Sequence, residues 1–293
     1  MDKYEPLEIV GRGSFGVIRK IRRVADGQLF VRKEIDYRLM SEKERRQMVN
    51  EVNILNNLKH PNIVRYHERH VDRDERRIYI VMEYCSGGDL AAIIKHFKAR
   101  NQRIPEDTVW QLVAQMMLAL HECHQGRTVR NAANGTESRV VILHRDLKPD
   151  NIFLDEHHNV KLGDFGLSRE MACAHEMFAK TYVGTPFYMS PELVTGSTYD
   201  AKSDIWSLGC IIYEVCALRP PFLATNQMEL NNKILSGNVP PLPREYSSDL
   251  ARLVTSMLST KPDMRPTTAC CLSHPRIQTY MRNVELTQAY VAS

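Results

Sequence analysis

The sequence predicts an α+β fold of two lobes, a small antiparallel β-sheet lobe with one helix and a larger, mainly helical lobe. Two observations carry this. From Tyr4 to Glu83 the chain alternates short β-type runs with glycine and Asp-Gly punctuation, and beyond Ser86-Gly87-Gly88 apolar residues recur at helical spacing between Pro-rich breaks. The 293 residues, 43% hydrophobic and 25% charged, can bury a substantial core. That composition excludes disordered, collagen-like and disulfide-scaffold classes.

In chain order, Tyr4 to Val10, Val17 to Arg23 and Leu29 to Glu34 read as strands, with Asp26-Gly27 as a hairpin signal. Ser41 to Leu58 reads as a helix. Ser41 and Glu44 fit a capping box, and Met48, Val52 and Leu55 recur at helical spacing. Ile63 to Val71 and Ile78 to Glu83 complete the strands, and a hinge falls near Tyr84 to Gly88. Pro105 to Gln125 is an amphipathic helix that turns Val109, Leu112, Val113, Met116, Met117 and Leu120 to a core. Gly126 to Arg139 is polar and reads as an inserted loop. Helices follow at Ala201 to Leu218, Gln227 to Ser236, Ser247 to Leu258 and near Thr267. The expected division is 1–85, 86–278 and a short tail, 279–293.

Several function classes drop out. The longest apolar stretch, Leu208 to Leu218, is short and contains Glu214, so no membrane span is expected. Seven cysteines without a C-x-x-C pair point to a reduced intracellular compartment, where the sequon at Asn134 goes unused. The net charge of +4 does not argue for nucleic acid, and the run Arg19, Lys20, Arg22, Arg23 reads as a solvated strand.

Gly11-Arg12-Gly13-Ser14-Phe15-Gly16 is a G-x-G-x-x-G loop, whose glycines let backbone N–H groups approach phosphate oxygens. A dinucleotide fingerprint needs a helix next, yet Val17 to Arg23 is strand-like, so a glycine-rich hairpin over a mononucleotide is the better reading. Lys33 ends the third strand, and Glu51 borders the apolar face of the following helix. A carboxylate held there needs a cation, and a Lys33–Glu51 pair would aim an ammonium at phosphates.

His144-Arg145-Asp146-Leu147-Lys148-Pro149-Asp150-Asn151, followed by Asp164-Phe165-Gly166, resembles the signature segments of eukaryotic protein kinases. The resemblance extends from about Tyr4 to Ile277 and implies ATP and Mg2+ as cofactors. Asn151 and Asp164 would ligate the metal, Asp146 would accept the substrate hydroxyl's proton, and Lys148 would stabilise the transferring group. The nucleotide would lie against Val10, Gly11, Gly13, Ser14, Gly16 and Ile18, with Val31 above adenine and Lys33 on the phosphates. Met82, Glu83 and Cys85 at the lobe connection, and Phe153 beneath, would complete that site. Ser190-Pro191-Glu192 resembles the segment anchoring the substrate loop, and Arg265 stands where kinases pair an arginine with that glutamate.

Lys148 in L-K-P-D-N and Thr185 point to the serine/threonine class. Stretches such as Thr181 to Glu192 and Lys202 to Cys210 are similar to NIMA-related kinases, a family associated with mitotic entry, spindle poles and microtubules. The resemblance implies protein substrates, cell-cycle or microtubule-associated partners, and residence in cytoplasm or nucleus, at a spindle pole or centrosome. It implies no membrane or nucleic-acid partner. Arg145 before the catalytic aspartate suggests a phosphate on the activation segment, with Thr181 placed to carry it. Tyr66 is expected in a regulatory apolar stack with Leu55, Phe165 and His144. Two departures stand out: Val31 and Arg32 replace the usual Ala and Ile, with Arg32 expected to face solvent, and Ser190 replaces Ala. Thr279 to Ser293 is too short for a sustained heptad pattern, so the chain is either an isolated catalytic portion or lacks dimerisation and targeting parts. The alternative function, a kinase-fold scaffold, would be favoured by loss of Lys33, Asp146, Asn151 or Asp164, and all four are present.

Overall fold

The computed structural model describes residues 3–13, 16–42, 56, 58–130, 137–163 and 186–281. The chain divides into two compact units, Met1–Gly88 with Phe153–Glu176 and Asp89–Ile152 with Met177–Ser293. The first unit thus takes in a return of the chain that a single cut near residue 85 does not include.

Its sheet consists of β1 (Tyr4–Gly13), β2 (Gly16–Arg23), β3 (Leu29–Asp36), β4 (Tyr66–Asp72) and β5 (Arg77–Glu83). The order is β1-β2-β3-β5-β4, antiparallel throughout. Gly27, at φ 73°, closes the β2–β3 turn that Asp-Gly foretells. Strand alternation sorts the side chains onto two faces. Ile35, Ile78 and Ile80 pack with Met40 on one, and Ile21, Phe30 and Val81 pack on the other. The fourth strand begins at Tyr66, three residues later than expected. Ile63 instead forms a parallel bridge to Leu162, which lies about a hundred residues further on. Most of the helix expected from Ser41, including Glu51, lies outside the described residues.

The second unit is mainly helical: α1 (Leu90–Ala99), α2 (Glu106–His124), α3 (Pro191–Val194), α4 (Ala201–Ala217), α5 (Gln227–Ser236), α6 (Ser248–Met257) and α7 (Thr268–Leu272). The sequence reading does not anticipate α1, although Asp89 caps it by accepting from Ala92 N at 2.7 Å and Leu90 and Ile94 are buried. In α4 every residue from Ser203 to Tyr213 is buried, so this helix forms the centre of its unit. Asp200 caps its start and Leu218, at φ 58°, ends it. Among the described residues no helix is long and apolar enough to cross a membrane.

The insert differs from the expected loop. Arg127–Arg130 (β6) and Glu137–Val140 (β7) form an antiparallel hairpin, with Arg127 opposite Val140 and Arg130 opposite Glu137. Its polarity suggested a loop, but the ladder is made of main-chain bonds, which polar residues supply as well as apolar ones. Two short strands, β8 (Ile152–Leu154) and β9 (Val160–Leu162), form a further pair.

Candidate active site

Register gathers the expected nucleotide residues of the first unit. Gly11 pairs with Ile18, Ile18 with Lys33 and Lys33 with Ile80, while Val31 pairs with Met82. Alternation therefore puts Ile18, Val31, Lys33, Ile80 and Met82 on one face of the sheet. Val10 is half exposed near the end of β1, Gly13 closes that strand, and Ser14 lies outside the described residues. A Cβ at Gly16 would stand 1.7 Å from the Glu34 carbonyl oxygen, so the last glycine of the motif is demanded by the packing of β2 on β3 whether or not phosphate is bound. Arg32 is a correction. It lies on the opposite face from Lys33 but is only 12% exposed, paired with Glu34 at 2.6 Å and laid over the Tyr79 ring. Tyr66 packs against the Ile35–Ile80 cluster, and burial pushes its hydroxyl pKa up. Leu55 and Phe165, its expected companions, lie outside the described residues.

The same unit holds the strand that runs into Asp164. Leu162 N donates to Asn62 O at 2.8 Å, Val64 N donates to Leu162 O at 2.9 Å, and the Asn62 amide donates to Val160 O at 3.0 Å. At its end, a Cβ on Gly163 would meet the Phe153 ring at 2.8 Å and Val64 at 2.9 Å. Gly87 N donates to Leu154 O and Leu154 N to Gly88 O, each at 2.9 Å, which fastens the hinge to β8 beside Phe153. Glu83 binds the Lys161 ammonium at 2.6 Å, and Cys85 follows two residues on, partly buried.

In the second unit, His144 to Asn151 forms a turn of fixed geometry. Arg145 takes φ 66°, a left-handed conformation that costs a side-chain-bearing residue about 1–2 kcal/mol. Asp204, wholly buried on α4, offsets that cost. It accepts from His144 N at 3.0 Å, Arg145 N at 3.1 Å and His124 Nε2 at 2.8 Å, and from the Tyr199 hydroxyl. Burial opposes its charge, yet His124 and the other donors hold its carboxyl below the usual range. Asp146 follows, with Oδ2 gripped by Lys148 Nζ at 3.0 Å and by the Asn151 amide at 3.0 Å. That amide also donates to Asp146 O at 2.8 Å.

The segment expected to anchor the substrate loop lies in the same unit. Glu192 and Arg265 form a two-pronged pair at 2.7 and 2.8 Å, both buried, and Ser203 donates to the same carboxylate at 2.5 Å. Despite burial, these donors hold Glu192 below the usual carboxylate range. Tyr188 donates to Glu214 at 2.6 Å, and burial pushes the Glu214 pKa up against the pull of that bond. Asp164, Glu51, Thr181 and Thr185 lie outside the described residues.

Sequence reasoning missed Asp204, His124 and Tyr199 as supports of the turn, and Asn62, Glu83 and Lys161 as supports of the strand. A signal existed for Asp204, because a carboxylate that opens the mostly apolar stretch Ile205 to Cys210 needs internal donors.

Residues 4–277 match the protein kinase domain model. The chain is 47% identical over 298 residues to the G2-specific protein kinase nimA of Emericella nidulans, covering 97% of this chain and 42% of that protein. It is 49% identical over 268 residues to a probable serine/threonine-protein kinase nek2 of Dictyostelium discoideum, covering 91% and 60%. It is also 49% identical over 277 residues to the serine/threonine-protein kinase Nek2 of Homo sapiens, covering 94% and 60%. The chain therefore spans only about two fifths to three fifths of these relatives. From matching segments, register and the braced turn around Asp146, it follows that this chain belongs to the protein kinase domain family and, within it, to the NIMA-related kinases.

Proposed function

We propose that this chain is a serine/threonine protein kinase that transfers the γ-phosphoryl group of ATP to protein hydroxyls. The supporting observation is Asp146, whose carboxylate is fixed by Lys148 and Asn151 on a turn braced by Asp204. Asp146 orients the substrate hydroxyl and takes its proton, and Lys148 faces the charge that develops on the phosphoryl oxygens. Lys33, paired with Glu51, holds the nucleotide's α- and β-phosphates.

Asn151 suits a hard cation, because its amide nitrogen is spent on Asp146 and its oxygen is the end left to meet metal. Asp164 supplies the second ligand. Magnesium bound there offsets phosphate charge. Phosphate on Thr181 pairs with Arg145, Thr185 positions the substrate against Asp146, and Tyr66 restrains the inactive arrangement. The G2-specific names of relatives support a cell-cycle role. To this the family resemblance alone adds cell-cycle or microtubule-associated partners and a place at the spindle pole or centrosome.

The test is phosphate transfer to casein by wild type and Asp146→Asn. Loss of the base should lower turnover by about 10²–10⁴ while ATP affinity stays within twofold. Wild-type turnover in the variant would overturn the reading.

A further inference from the structure

Lys161 is an unusual place for an ammonium. It lies in the three-residue strand β9 between Val160 and Leu162, which are fully buried, and its own side chain is only 14% exposed. Its partner is the Glu83 carboxylate, 25% exposed, at 2.6 Å. The other oxygen of that carboxylate accepts from Arg65 N at 3.0 Å, and Glu83 N donates to Arg65 O at 2.8 Å. Glu83 is therefore held through its main chain and side chain at once. The cation that completes the set comes from the strand whose next residues are Leu162, Gly163 and Asp164. The site lies beside Cys85, whose thiol is pushed up to about 12 by burial and then by the charge of Glu83.

We propose that Glu83 and Lys161 are a positioning pair for the nucleotide. The pair holds the hinge backbone, which offers adenine its hydrogen-bonding groups, at a fixed spacing from the strand that delivers the metal-binding aspartate. The inference rests on the kinase reading and adds a residue pair to it. Neither side chain touches the reacting atoms. Both act through the main chain on either side of them. Each end has a separate tether, Asn62 for the strand and Arg65 for the hinge, so removing the pair should loosen the spacing without unfolding the sheet. Adenine affinity responds to such a change more than the chemical step does, because Asp146, Lys148 and Asn151 are braced within the other unit.

The experiment uses the full chain, with KM for ATP, kcat, ADP affinity by calorimetry and melting temperature measured on each variant. Lys161→Met and Glu83→Gln should each raise KM and the ADP dissociation constant about five- to tenfold with kcat within twofold. Lys161→Arg, which keeps a cation, should return both to within twofold of wild type. A lower melting temperature with unchanged KM and ADP affinity would overturn the proposal, as would equal loss in Lys161→Met and Lys161→Arg. Should Lys161→Met fail to fold, Glu83→Gln against Lys161→Arg decides by the same readouts. Wild type that binds no ADP, or that transfers phosphate no faster than Asp146→Asn, would instead sink the kinase reading itself.

Discussion

The turn from His144 to Asn151 and the strand β9 carry different parts of the proposed chemistry, and they are held in different ways. The strand is tied by main-chain bonds on both sides of Leu162, with one amide from Asn62 and one ion pair added. The turn depends on one buried side chain, since Asp204 alone collects four donors, two of them the main-chain amides of His144 and Arg145. Main-chain ties tolerate changes of residue because every residue except proline supplies them. A single buried carboxylate tolerates none. The chain therefore concentrates its vulnerability in α4, far in sequence from Asp146, the proposed base.

Asp204→Ala should expose that difference most strongly. It removes the acceptor that four donors share, two of them flanking the left-handed Arg145, at a cost of about 5 kcal/mol. Guanidinium unfolding measures it, and a loss under 1 kcal/mol would refute the single-point brace. Acid provides a milder probe. Asp204 and Glu192 both titrate below the usual range in the folded chain, so their stabilisation is complete above the unfolded carboxylate values of about 4. It is lost as pH falls through the folded values. Glu214, raised by burial, runs the other way: its cost builds as pH rises from its unfolded value to its folded one and is relieved by acid. The unfolding midpoint should fall as pH drops below about 4, whereas Glu214→Gln should differ from wild type above that, by lacking the gain in midpoint that acid brings between the unfolded and folded values of Glu214. A flat profile would contradict the two depressed carboxylates. The smallest effect belongs to the strand: Asn62→Ala should cost about 1–2 kcal/mol, because it removes one bond to Val160 while the main-chain ties persist. A loss matching Asp204→Ala would erase the contrast.

What was legible in the sequence follows the same division. Strands Tyr4–Gly13 to Leu29–Asp36 and helix Glu106–His124 follow from local pattern, since alternation and helical spacing are written within each segment. Asp146, Lys148 and Asn151 were readable because one short motif carries all three. The supports were not. Asp204 meets His144 across sixty positions and Asn62 meets Val160 across ninety-eight, and no periodicity records such pairings. Arg32 failed for a related reason. Alternation places it correctly on the far face, but only the tertiary fold shows Glu34 and Tyr79 covering it.

The hairpin ahead of the turn from His144 to Asn151 has a practical consequence. Because Arg127 and Val140 are laddered at its base, the chain leaves α2 and re-enters at Val141 from neighbouring points, whatever the number of residues carried at the far end. Length there is decoupled from the position of His144. Residues inserted between Arg130 and Glu137 should therefore leave the turn around Asp146 where it is.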